Sequence, residues 1–192
     1  MSNSNLPTLL IDLPRNPIFA VGLPVTVGVL NGFLTRKSQY GPESLWYKGL
    51  KKPSLNPPRH YFGIVWPALY VGMGYASHLT VKALDRTPPG FGRDKALHAL
   101  TLYWAQLALN AAWSPVTFGF GQLGLGLVNL GALTGTIGYW IASLKEVDIN
   151  AAYLMIPYAA WSVFATYLNA SLWWNNSGRN FYNRLVNKAK DV

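Results

Sequence analysis

The sequence predicts an all-α protein, an integral membrane bundle of five transmembrane helices, and three observations predict it. Charged residues make up only 12% of the 192 residues, against about 25% in a soluble domain. Uncharged stretches run from Asn16 to Thr35, Tyr61 to Val81, Ala96 to Leu144 (with His98 neutral) and Ile149 to Gly178. Aromatic residues reach 14%, with eight Trp and eleven Tyr, rings that suit the half-wet membrane interface.

Taken in order, residues 1–15 form a polar N-terminal segment containing prolines, without the apolar core of a cleavable signal peptide. The first apolar stretch is then expected to act as both targeting signal and span. Residues 16–176 form the five-helix transmembrane domain and 177–192 a basic C-terminal tail. About 20 helical residues cross the hydrocarbon layer, so the 49-residue run 96–144 must hold two spans. Their break is expected near Gly119, Gly121 and Gln122. The expected helices are 17–35, 62–82, 97–118, 122–144 and 151–174. A soluble bundle is excluded because four such stretches leave almost no wet face.

The first loop, Arg36 to His60, carries Trp46-Tyr47, Lys48, Lys51, Lys52, Pro53, Pro57 and Pro58. Proline stiffens a segment and withholds backbone donors, so the loop reads as an ordered lid over one mouth of the bundle. Six bases flank the spans on the side of the N-terminus and ten on the side of this loop and the tail. The positive-inside rule places the first loop and the C-terminus in the cytosol. This distribution explains the net charge of +9 without nucleic acid as a partner.

Composition also excludes chemistries. No cysteine is present, so disulfides and thiolate sites are out. All seven acidic residues lie outside the expected spans, which argues against a proton-coupled pump and against paired-carboxylate catalysis. His60, His78 and His98 are scattered, without metal-ligand spacing. The spans instead carry rings and amides at helical spacing: Trp66, Tyr70 and Gly74; Gln106, Asn110 and Trp113; Pro157, Trp161, Ala165, Leu168 and Asn169. Such groups face a bundle interior rather than lipid. Taken alone, the stripes read first as interhelical glue and second as a cavity for a flat, mostly apolar ligand.

Four segments, in this order, carry a resemblance. They are Trp46-Tyr47 with Lys52-Pro53 and Pro57-Pro58; Phe62-Gly63-Ile64-Val65-Trp66 with Leu69-Tyr70; Gln106 to Trp113; and Pro157-Tyr158-Ala159-Ala160-Trp161 with Phe164-Ala165, Leu168-Asn169 and Trp173. Over residues 17–176 the chain resembles the translocator protein family, the peripheral benzodiazepine receptors and tryptophan-rich sensory proteins. The resemblance implies a five-helix receptor or carrier for tetrapyrroles such as porphyrin and haem, and for sterols or benzodiazepine-type ligands. It implies a pocket lined by Tyr47, Trp66, Tyr70, Asn110, Trp113, Trp161, Ala165 and Leu168, which turns the stripes from glue to cavity. No cofactor is required, and porphyrin or haem is the expected ligand. Membrane lipids are partners, and a homodimer is open through small-residue faces such as Gly28/Gly32, Thr101/Ala105 or Gly131/Gly135. The sterol pattern of such proteins is broken here by Ala170 and Trp174. Light-dependent porphyrin degradation and a ligand-free scaffold are the competing functions. In a eukaryotic host the implied location is the mitochondrial outer membrane, with the endoplasmic reticulum as alternative.

Overall fold

A computed structural model describes residues 6–178; residues 1–5 and the basic tail from Arg179 onward lie outside the described residues. Among the described residues every regular element is helical. The elements are α1 (Thr8–Arg15), α2 (Pro17–Arg36), α3 (Leu45–Gly49), α4 (Arg59–Arg86), α5 (Phe91–Ser114), α6 (Leu123–Leu144), α7 (Ile149–Leu154) and α8 (Ile156–Trp173). Single π-helical turns, Pro115–Gly119 and Trp174–Gly178, follow α5 and α8.

Local chemistry sets several of these boundaries. Asn16 caps α2 through a hydrogen bond accepted from Ile18 N, and Pro17 follows at the first turn, where no donor is needed. Asp148 caps α7 by accepting from Asn150 N and Ala151 N. The turn between α5 and α6 falls where expected: Gly121 has φ 68°, and a Cβ there would stand 2.7 Å from the Tyr40 ring. Three elements, Pro17–Arg36, Leu123–Leu144 and the α7–α8 run Ile149–Ser177, are long and apolar enough to cross a membrane.

Two features depart from expectation. The N-terminal segment, expected to be merely polar, contains helix α1. Leu9, Leu10, Ile11 and Leu13 share it with Asp12 and Arg15, and buried Pro14 helps seat it against the bundle. Arg15 grips Asp85 of α4 with two bonds of 2.9 Å, and Trp104 Nε1 donates to Leu10 O at 2.9 Å. The last helix is divided at Met155, just before Pro157, into α7 and α8.

The helices close a ring: α2 lies between α4 and α5, α5 beside α6, α6 beside α8, and α7 against α4. Gly74 lets α2 and α4 meet at backbone distance, since a Cβ there would stand 2.3 Å from Ala20 O. The core fills the end of the bundle where α6 finishes, around Met73, Tyr103, Leu133, Ile137 and Trp140. Toward the other end α4 and α8 barely touch, and that separation opens the interior under the first loop.

Candidate ligand cavity

The opening is a cavity of about 860 Å³, within the range of drug-sized ligand sites. Its walls come from the second half of α2, the first half of α4, the end of α5 with its π turn, and the end of α8; α6 supplies none of the lining. The first loop roofs it through Pro42, Tyr47, Lys48, Lys52, Asn56, Pro57 and Pro58.

Rings dominate two walls. Trp66 stacks on Tyr70 at 5.7 Å between centroids, one helical turn apart. In the same lining Tyr47, Phe118 and Trp113 form a line of edge-on contacts at 5.6 and 5.3 Å. Gly28 accommodates Tyr70: a Cβ on it would stand 2.0 Å from the ring.

Beneath the rings lies a buried hydrogen-bond chain. Tyr70 OH donates to Asn110 Oδ1 at 2.8 Å, Asn110 Nδ2 to Tyr158 OH at 2.9 Å, and Tyr158 OH to Gln106 Oε1 at 2.9 Å. Gln106 Nε2 donates in turn to Met73 Sδ at 3.7 Å. This chain joins α4, α5 and α8, so glue and cavity are one structure: the amides that tie the helices also fix Tyr70 and Asn110 in the wall.

The rim is cationic. Arg36, Lys48, Lys52 and Arg59 all reach the lining. Glu43 accepts from Arg36 at 2.6 Å and meets Arg59 at 3.2 Å; the Arg36 hydrogen bond, with Arg59 adding to it, holds its carboxyl below the usual carboxylate range. Lys52 lies over the Tyr47 ring at 4.8 Å and donates to Tyr47 O at 3.0 Å. Burial pushes the Tyr47 hydroxyl pKa up, and Arg59 pulls it partly back. The roof is latched to the chain end by a reciprocal pair: Lys51 N donates to Asn176 Oδ1 at 2.9 Å, and Asn176 Nδ2 to Lys51 O at 3.1 Å.

Of the residues expected from sequence, Tyr47, Trp66, Tyr70, Asn110, Trp113, Ala165 and Leu168 lie together in the lining. Trp161 does not. Its indole meets lining residue Phe62 edge-on at 5.7 Å, and the part of α8 that faces the cavity starts one turn later, at Ala165. Helical spacing puts Trp161 and Ala165 on one face of α8 and carries no information on how deep the cavity reaches. Sequence reasoning also passed over the α2 wall, Val25, Gly28, Val29 and Gly32, whose only signal was the glycine spacing, and over Thr117 and Phe118 of the π turn. Among the described residues no three His, Asp or Glu side chains gather as a metal site. His78 donates to Pro14 O at 3.0 Å, and His98 meets Tyr139 OH at 3.2 Å.

Comparison with known proteins accords with this architecture. The model of the TspO/MBR family matches residues 20–174. The human translocator protein is 42% identical over 149 residues, covering 78% of this chain and 85% of that protein. The tryptophan-rich sensory protein of Cereibacter sphaeroides is 33% identical over 150 residues, covering 78% and 82%. A translocator protein homolog of Schizosaccharomyces pombe is 40% identical over 123 residues, covering 64% and 73%.

Proposed function

The chain belongs to the TspO/MBR family of membrane proteins, and from that premise we propose that it is a receptor or carrier for tetrapyrroles such as protoporphyrin and haem, held beneath the first loop. The observation that carries this reading is the ring-walled cavity under a cationic rim. A tetrapyrrole is a flat π-system with carboxylates on one edge. Its faces match the two aromatic walls, and its carboxylates match Arg36, Lys48, Lys52 and Arg59. Sterols offer no anion to that rim, and Ala170 and Trp174 stand where a sterol pattern would need Tyr and a base; they are secondary ligands at most.

All five long helices cross the membrane in this reading. The uncharged part of α4, Tyr61 to Val81, has 21 residues and spans roughly 31 Å at 1.5 Å per residue, the thickness of the hydrocarbon layer. Trp66, Tyr70, Gln106 and Asn110 lower the hydropathy of α4 and α5 because they serve the interior. The lid and the end of α8 share one end of the bundle, joined by Asn176, while α1 sits at the other. With ten bases on the lid side, that side is cytosolic, and in a eukaryotic cell the membrane is the mitochondrial outer membrane.

Titration with protoporphyrin and with its dimethyl ester, followed by quenching of tryptophan fluorescence, tests the assignment. Protoporphyrin binds, and the ester, stripped of charge, binds more weakly. Absence of quenching by either overturns the reading. Light-dependent degradation is the second reading, because Trp66 and Trp113 would lie against a bound photosensitiser. It requires product formation under illumination and none in the dark.

A further inference from the structure

The first loop holds a single acid. Glu43 is the only acidic residue between Asp12 and Asp85, and it stands among Arg36, Lys37, Lys48, Lys51, Lys52 and Arg59. A carboxylate beside a rim that attracts anions works against that rim unless it does something else there. Its two partners, Arg36 and Arg59, belong to the cavity lining, whereas Glu43 does not. The acid meets them from outside the space a ligand would fill.

Backbone geometry fixes that position. Gly41 is buried where the loop folds back on the end of α2: a Cβ there would stand 2.2 Å from Thr35 O and 2.7 Å from Arg36 O. Two turns close around it, Gly41 N donating to Ser38 O at 3.0 Å and Ser44 N to Gly41 O at 2.9 Å. Ser44 then caps α3 by accepting from Tyr47 N at 3.1 Å. Glu43 is thus set between a backbone-to-backbone contact and a helix cap.

Its Oε1 accepts from Arg36 Nε at 2.6 Å and meets Arg59 Nη2 at 3.2 Å, joining the last residue of α2 to the first of α4. Both arginine side chains are more than half exposed, 59% and 55%. A lone ion pair there is worth little, but a network of several charges is the exception. Unrestrained arginines spread over many rotamers, and ordering them is a cost of binding. Held through Nε, Arg36 keeps its two terminal nitrogens without a hydrogen bond among the described residues, and that edge can grip a carboxylate through two parallel bonds. Resting on the tetrapyrrole reading above, we propose that Glu43 is a positioning residue for carboxylate recognition: from outside the cavity it orders Arg36 and Arg59, leaving their remaining donors to the carboxylates of a ligand. Two guanidiniums and one carboxylate still sum to a charge of 2 − 1 = +1, so the trio attracts an anion with its arms already in place.

The readout is the ratio of affinities for protoporphyrin and its dimethyl ester, both titrated against the full chain in the same micelles. Glu43→Gln lowers the acid-to-ester ratio about fivefold relative to wild type. Loosening of the loop weakens both ligands alike and cancels in the ratio. In an Arg36→Gln/Arg59→Gln background the same substitution leaves the ratio where it was, because no guanidinium remains to be ordered. A ratio that rises in Glu43→Gln makes the acid a competitor for the arginines and overturns its positioning role. A change smaller than about 1.5-fold, or an equal fall in both backgrounds, overturns it as well. These outcomes, in a wild type that prefers the acid, remove the role of Glu43 alone. If the wild type binds both ligands without preference, the match of carboxylates to the rim falls and Glu43 with it. If it binds neither, the tetrapyrrole reading itself falls.

Discussion

At the end where α6 finishes, Trp140 is wholly buried, with the Tyr103 ring at 5.7 Å and Ile137 and Leu144 sealed beside it. At the lid end Trp66 stacks on Tyr70 at the same 5.7 Å, but it is half-buried beside open space. Indole and phenol are used at both ends. The difference comes from the neighbours: α6 feeds Leu130, Leu133 and Ile137 into the closed end, whereas at the lid end it gives nothing to the lining and α4 parts from α8. Aromatic richness therefore does not mark a cavity in this chain. Where helices diverge around the rings, one opens.

The sharpest way to break that comparison is to exchange penalties between the ends. Trp140→Ala empties a filled core and lowers stability by about 3–5 kcal/mol, read as a large drop in Tm in detergent, with protoporphyrin affinity retained in whatever remains folded. Trp66→Ala does the reverse: affinity for protoporphyrin falls by ~2 kcal/mol, roughly thirtyfold, while Tm changes little. Equal effects of the two substitutions on both measurements would erase the distinction. At the boundary between the ends, Tyr158→Phe leaves Asn110 Nδ2 and Gln106 Oε1 without their partner and lowers stability by about 1–3 kcal/mol. An unchanged Tm would mean that the chain beneath the rings holds nothing together.

Smaller effects probe the roof. Because the sequence has no cysteine, a nitroxide on Ser54→Cys reports the lid alone. Asn176→Ala removes both bonds to Lys51, worth ~1 kcal/mol, so label mobility rises and protoporphyrin dissociates severalfold faster. The smallest effect is that of pH. The folded pKa of Glu43 is depressed by Arg36 and Arg59, so its contribution is complete above the ordinary glutamate value of about 4.3 and is lost as pH falls through the depressed one. Label mobility accordingly stays flat from neutral pH down to about 5 and rises only in stronger acid. With Glu43→Gln it is raised at every pH.

Much of this was readable from residues. Charge-free runs marked the helices, and Gly119, Gly121 and Gln122 marked the break between α5 and α6 because a tight turn between spans needs glycine. Period-3.6 stripes put Trp66 with Tyr70 on α4 and Asn110 with Trp113 on α5, and all four lie in the lining of the cavity. Spacing along a helix specifies a face and says nothing of depth, so it does not show that the lining on α8 starts at Ala165, one turn past Trp161. Helix α1 was missed because eight residues containing Pro14 make a weak local signal, and its stability comes from Asp85, Trp104 and His78, which lie far away in sequence. The same holds for the Lys51–Asn176 latch. A side-chain amide pairing with a distant backbone leaves no periodicity to read.

That latch joins residues 125 positions apart. During synthesis, at roughly 5–20 residues per second, Asn176 is made about 6–25 s after Lys51. For that interval the first four long helices can assemble while the roof has nothing to fasten to. The nascent protein therefore passes through a stage in which its roof is unfastened, and the last helix completes the cavity wall and brings that fastening in one step.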